Sequence, residues 1–225
     1  MPINETVLYI HGLESGPQGR KPRHLAEAGF VVVSRLMPCA RSAIVRDPAV
    51  LALAACAAAL VAASAIRGGI RGLALGVGIA GAAAPFIESR IMRRVLQRSV
   101  DVQLRALAAH QIDVVVGSSF GGAVALDLLA RGAWSGRTLL LCPAHELVAR
   151  RGRMPMPPSL ATLPDAVSSR VIVVHGRGDD TVPVTHSEEL VAGSPARLIL
   201  VDDDHRLVKT ATPEQLAAWI ASTSS

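Results

Sequence analysis

The sequence predicts an α/β fold, a mostly parallel sheet covered by helices on both faces. Three observations carry that reading. Short unbroken runs of β-branched and aliphatic residues recur along the chain, as in strands buried on both sides. Helical stretches separate them, which is the alternation that builds parallel sheets. The 225 residues are 50% hydrophobic and only 18% charged, enough apolar material for one α/β domain and too much for a disordered chain.

The strands are expected at Val7 to Ile10, Phe30 to Ser34, Ile112 to Val116, Thr138 to Leu141, Val171 to Val174 and Arg197 to Val201. The helices between them are expected near Pro22 to Ala28, Val100 to His110, Gly121 to Arg131, Ser187 to Val191 and Pro213 to Ala221. Residues 1–6 carry no basic segment followed by an apolar core, so no export signal is expected there. Cys39, Cys56 and Cys142 are odd in number and far apart, which fits a reducing compartment and excludes a disulfide scaffold.

One region breaks the rhythm. Asp47 and Pro48 make a helix start, and Ala49 to Ile66 then runs without a charge, with ten alanines. Arg67 to Arg71, through Gly68 and Gly69, predicts a turn, and Gly72 to Ile87 is again uncharged. Helices apolar on every face belong in a large core or in lipid. Eighteen helical residues rise about 27 Å, close to the roughly 30 Å thickness of a bilayer's hydrocarbon. Gly68, Gly72 and Gly76, four apart, would let the two helices approach closely or let the hairpin associate. Arg41, Arg46, Arg90, Arg93, Arg94 and Arg98 flank the hairpin on one side, against Arg67 and Arg71 at its tip, which favours the first side as cytoplasmic. The expected division is therefore a catalytic domain of residues 1–47 and 88–225 and an inserted apolar hairpin, 48–87, in contact with membrane lipid. A soluble alanine-rich hairpin serving as a lid or dimer arm is the alternative, with the protein then cytoplasmic.

The most specific chemical signal is Gly117-Ser118-Ser119-Phe120-Gly121, a Gly-x-Ser-x-Gly set after a strand and before a helix. A sharp turn there lifts the central hydroxyl out of the backbone, and the register makes Ser119 the nucleophile. A serine nucleophile needs a base, and the base an orienting acid. Asp179 and Asp180 follow the fifth strand and His205 follows the sixth, so all three groups fall at the carboxyl ends of parallel strands. Ser, Asp, His is also the chain order of α/β-hydrolases.

With these motifs the chain resembles the α/β-hydrolase superfamily, and more narrowly the small, nearly capless esterases of the bacterial YqiA type. The resemblance rests on Tyr9-Ile10-His11-Gly12-Leu13 with Ser15-Gly16-Pro17, the Ser119 motif, His175 to Pro183, and Asp204-His205-Arg206-Leu207. It implies Ser119 as nucleophile, Asp179 as acid, His205 as base, and the Leu13 and Phe120 amides as the oxyanion hole. Asp180, next to Asp179, leaves the acid open to a slip by one residue. The resemblance does not include the hairpin.

The expected function is hydrolysis of a small-molecule carboxylic ester or thioester through an acyl-enzyme, with no cofactor. Transfer of the acyl group to another acceptor, or a membrane-tethered interaction protein with an inactive site, are the alternatives. His11 and His175 have no Cys or Glu at ligand spacing, so no metal is expected. Despite the net charge of +5, there is no nucleic-acid motif and only 3% aromatic residues for stacking. Arg20, Lys21, Arg23 and His24 could touch an anionic part of the substrate or form a solvated helix face. Arg150, Arg151 and Arg153, with Met154 to Pro158 behind them, fall where such hydrolases place a lid.

Overall fold

The computed structural model describes residues 4–13, 15–39, 48–155 and 159–224. Strands β1 (Thr6–Ile10), β2 (Val31–Ser34), β3 (Val114–Ser118), β4 (Arg137–Leu141), β5 (Val171–Gly176) and β6 (Arg197–Val201) form one sheet in the order β2-β1-β3-β4-β5-β6. Every neighbouring pair is parallel. Alternate side chains feed two apolar cores, because successive residues of a strand point to opposite faces. Leu8, Ile10, Val115, Leu140 and Val173 face one core; Val7, Tyr9, Val116, Leu141 and Val174 face the other. Each such fully buried aliphatic side chain contributes about 1.5–3 kcal/mol.

Helices α2 (Pro48–Ala109), α3 (Phe120–Ala130) and α4 (His145–Gly152) lie over the first core. Helices α1 (Arg20–Glu27) and α7 (Pro213–Ala221) close the second through Leu25, Leu216, Trp219 and Ile220. Two further helices, α5 (Asp165–Ser168) and α6 (Val184–Val191), flank β5. Thr212 caps α7 by accepting from the Gln215 amide, and Pro213 starts it.

Helix α2 departs from the sequence expectation. The turn expected over Arg67 to Arg71 shrinks to a single residue, Gly69, at φ 54° and ψ −136°. Gly72 and Gly76 lie against Ser64 and Val61 of the first arm, where a Cβ on Gly72 would fall 1.8 Å from the Ser64 carbonyl oxygen. Gly68, expected to share that role, has nothing within 4 Å of a Cβ built on it. The helix expected from Val100 does not start there. The second arm runs without a break past Ile87 and buries Val95, Leu96, Val100 and Ala106 against the sheet. Nothing between residues 87 and 100 breaks a helix, so the apolar arm grades into an amphipathic one. Asp47, expected to cap α2, and Arg41 and Arg46 lie outside the described residues.

Two buried histidines pin the turns that leave the sheet. His11, fully buried after β1, donates from Nδ1 to the Gly12 carbonyl at 2.8 Å and accepts the Met37 amide at Nε2, 3.2 Å away. His145, at the start of α4, has Nδ1 3.3 Å from the Pro143 carbonyl. Burial lowers the pKa of both, more than these carbonyl bonds restore. The folded state therefore takes up protons at lower pH than the unfolded chain, whose histidines titrate near 6.5. Stability is fully present above about pH 6.5 and falls as the pH drops below it, by up to about 1.4 kcal/mol per pH unit for each histidine. Urea melts between pH 7 and 5 check this. A flat profile across that window would show that neither histidine is held neutral.

Candidate active site

The carboxyl ends of β1, β3, β5 and β6 converge on one constellation. Ser119 sits between β3 and α3 at φ 54° and ψ −117°, a conformation costly for a residue with a Cβ. Its amide donates to the Leu141 carbonyl at 2.9 Å, and its carbonyl accepts the Gly122 and Ala144 amides. Gly121 permits the turn to nest on β1: a Cβ there would lie 2.0 Å from the Ile10 carbonyl oxygen. Ser118 is committed elsewhere. Its hydroxyl accepts from Lys21 Nζ at 3.2 Å, whereas it is Ser119 that meets His205.

His205 Nε2 lies 2.9 Å from Ser119 Oγ, and His205 Nδ1 lies 2.7 Å from Asp179 Oδ2. The turn carrying His205 is held by Asp203, whose carboxylate accepts the Asp204, Lys209 and Thr210 amides and the Thr210 hydroxyl. Burial opposes the charge on Asp203, but those four donors outweigh it and lower its pKa. Gly176 permits this turn to reach β5, since a Cβ there would stand 2.4 Å from the Asp203 carbonyl oxygen.

The Asp179 side chain has no solvent exposure. Oδ1 accepts the Thr181 and Val182 amides at 2.9 and 2.8 Å. Oδ2 is shared between His205 and a second imidazole, His175 Nε2, at 3.0 Å. Burial pushes the carboxyl pKa up, but the bonds from His175, His205 and Val182 prevail and hold it well below the usual carboxylate range. The neighbouring Asp180 is exposed and holds the Thr181 hydroxyl at 3.2 Å, so it is Asp179 that meets His205.

His175 is a residue for which the sequence offered only an unused metal reading. It is fully buried, with Nδ1 2.6 Å from Ser187 Oγ and Nε2 also 3.0 Å from the Val182 carbonyl. The run Ser187–His175–Asp179–His205–Ser119 is thus continuous. Ser187 sits twelve residues beyond His175, across a loop that no spacing rule spans. Cys142, His175 and Asp179 offer ligand atoms within 4.8 Å of one another. Both nitrogens of His175 and both oxygens of Asp179 are already engaged as described, so this trio is not arranged to hold a metal. His11 is likewise occupied at both nitrogens.

Of the two expected oxyanion donors, Phe120 directly follows the serine and Leu13 follows Gly12 on the β1 loop. Gly12 brings the β1 loop onto it, with a Cβ built there 3.2 Å from Ser119 Cβ. Neither the Leu13 nor the Phe120 amide donates to another described residue. The Phe120 amide also opens an eleven-residue helix, whose N-terminal dipole favours negative charge. Of the basic cluster on α1, Arg20 reaches the Val208 carbonyl, Lys21 holds Ser118, and His24 Nδ1 meets the Ala211 carbonyl at 2.7 Å. Arg20 and His24 brace α1 against the loop after His205, and Lys21 ties it to the end of β3. The basic segment after β4 contains a short helix, α4, that sequence reading did not anticipate; residues 156–158 behind it lie outside the described set.

Comparison with protein-family models finds no match. A 107-residue stretch is 31% identical to the uncharacterized protein YfhR of Escherichia coli K12, covering 42% of this chain and 38% of that protein. Solved structures match over nearly the whole chain. A protein from Xanthomonas campestris described as a putative hydrolase of the alpha/beta superfamily shares 22% identity at TM-score 0.52, with 99% of each chain covered. A metagenome-derived lipolytic enzyme matches at 15% identity and TM-score 0.55, covering 97% of this chain and 94% of that one. A monoacylglycerol lipase from Paleococcus ferrophilus shares 12% identity at TM-score 0.50, with 97% and 94% covered. The six-stranded parallel sheet and these matches establish that the chain has the α/β-hydrolase fold.

Proposed function

We propose that the protein is a serine hydrolase of small-molecule carboxylic esters or thioesters, built on residues 1–47 and 88–225 and related to the YqiA-type esterases. The observation that carries this reading is the pair of contacts at His205, 2.9 Å to Ser119 Oγ and 2.7 Å to Asp179 Oδ2. His205 takes the Ser119 proton through Nε2 as Oγ attacks the carbonyl carbon. The Leu13 and Phe120 amides hold the oxyanion, and His205 returns the proton to the leaving group. Water, activated by the same imidazole, attacks the acyl-enzyme and releases the acid. Asp179 keeps the proton on Nδ1 of His205 and balances the imidazolium that forms. His175 acts through Asp179 as a positioning residue. The lipolytic enzyme and the monoacylglycerol lipase of this fold make an acyl ester the first substrate class to test.

The hairpin of residues 48–87 anchors the enzyme in the membrane, with the catalytic domain on the cytoplasmic side. Supporting this, α2 is long and apolar enough to cross a bilayer, and none of its most apolar stretch is buried. Ile66, Ile70, Leu75 and Phe86 are all more than half exposed, which in water would be an aggregation hazard.

A fluorophosphonate probe is expected to label the wild-type protein and to leave Ser119→Ala unlabelled, while Ser118→Ala retains the label. Absence of labelling in folded wild type would favour the interaction-protein alternative. In steady-state ester hydrolysis Asp179→Asn is expected to lower kcat by on the order of 10³–10⁴, and Asp180→Asn by less than about threefold. His175→Ala is expected to lower kcat with KM unchanged, and His175→Gln to recover part of the loss. Equal effects of the two aspartate substitutions would reject the assignment of the acid.

A further inference from the structure

The root of the hairpin carries chemistry that ester hydrolysis does not use. Arg90, Arg93, Arg94 and Arg98 stand at i, i+3, i+4 and i+8 of α2 and so share one helical face. All four are exposed and line a cavity of about 1030 Å³. Its other walls include Val50, Leu53, Phe86 and Ile91, and no carboxylate is among its described lining residues. Across the root, the guanidinium of Arg153 lies 4.6 Å over the Phe86 ring, and Arg151 Nε is 4.0 Å from Glu88. Glu88, on the same helix two residues before Arg90, thus faces α4.

We infer that this cavity seats an anionic phospholipid of the bilayer, its phosphate on the arginine face and its acyl chains against Val50, Leu53 and Phe86. The inference rests on the membrane reading above. Its depth argues for a lipid headgroup. If the arm of residues 70–87 fills the hydrocarbon, about 27 Å long at 1.5 Å per residue, then Arg90 to Arg94 fall about 4–11 Å beyond it. That is the headgroup layer on the domain side. The composition argues for the same occupant: a planar guanidinium pairs with phosphate oxygens in a fork, and the apolar walls suit acyl chains. A zwitterionic lipid would bring its own cation against Arg90 and Arg93. The cavity is also larger than an inorganic phosphate fills.

The test uses the full-length protein extracted in mild detergent and incubated with equimolar phosphatidylglycerol and phosphatidylcholine, with bound lipid counted by native mass spectrometry. Wild type is expected to carry phosphatidylglycerol at least tenfold over phosphatidylcholine. Arg90→Gln/Arg93→Gln is expected to lose most of that preference, whereas Arg67→Gln/Arg71→Gln at the tip retains it. Circular dichroism verifies that both variants keep their helices. Equal occupancy by the two lipids, or a root variant that keeps the preference, would overturn the inference. Carbonate washing of the expressing membranes separates the two levels of failure. Release of the protein into the wash overturns the membrane anchor itself, while retention without lipid preference overturns only the headgroup site.

Discussion

A buried carboxylate organises the candidate site of this molecule. The Asp179 side chain has no contact with solvent, and an isolated charge in such a place is too costly to persist. Four donors, two amides from its own loop and two imidazoles, make the charge tolerable. Each requires a part of the fold to be where it is. The amides require the tight loop after β5, and His175 requires the final turn of that strand. His205 requires the turn after β6 to come within van der Waals range of β5, which the missing side chain of Gly176 permits. Breaking any of the four leaves a lone pair of a buried anion unmet, at a cost of order 1–3 kcal/mol or more.

The second constraint is the turn at Ser119. Its positive φ is held by packing on all sides: the Leu141 carbonyl below, the Ala144 amide beside it, and the β1 end across Gly121. These contacts come from β4, the start of α4 and β1, so the strained turn reports that the centre of the sheet is correctly assembled. Loop residues placed by a rigid sheet are where catalytic groups gain accuracy. The hairpin follows a different logic. Its arms touch each other through Gly72 and Gly76, and its remaining surface is apolar and uncovered. The same helix that forms its second arm continues into the core through Val95 and Val100, so the hairpin and the sheet domain share one helix.

Much of this was legible in the sequence because it is local. All six strands fall within about two residues of their expected bounds, since β-branched runs bounded by polar turns leave little choice. Ser119, Asp179 and His205 could be proposed because each lies just beyond the carboxyl end of a strand. What was not legible depends on partners distant in the chain. Helix α4 is eight residues long and mostly polar, and gains its place by packing Val148 into the core. His175 gives no sign in the sequence that its two nitrogens meet Ser187 and Asp179. The basic residues of α1 read as a solvated face or an anion site because the loop after His205, 187 residues away for His24, is invisible from α1.

The central claim is that Ser119 forms a covalent acyl intermediate under the control of the Asp179–His205 pair. The most direct measurement is intact-mass and peptide mapping of the protein quenched in acid within milliseconds of mixing with an activated acyl ester. One acyl group per chain is expected, mapped to Ser119 and decaying by hydrolysis. An adduct on Ser118, or steady turnover of the ester with no adduct at any quench time, would contradict it.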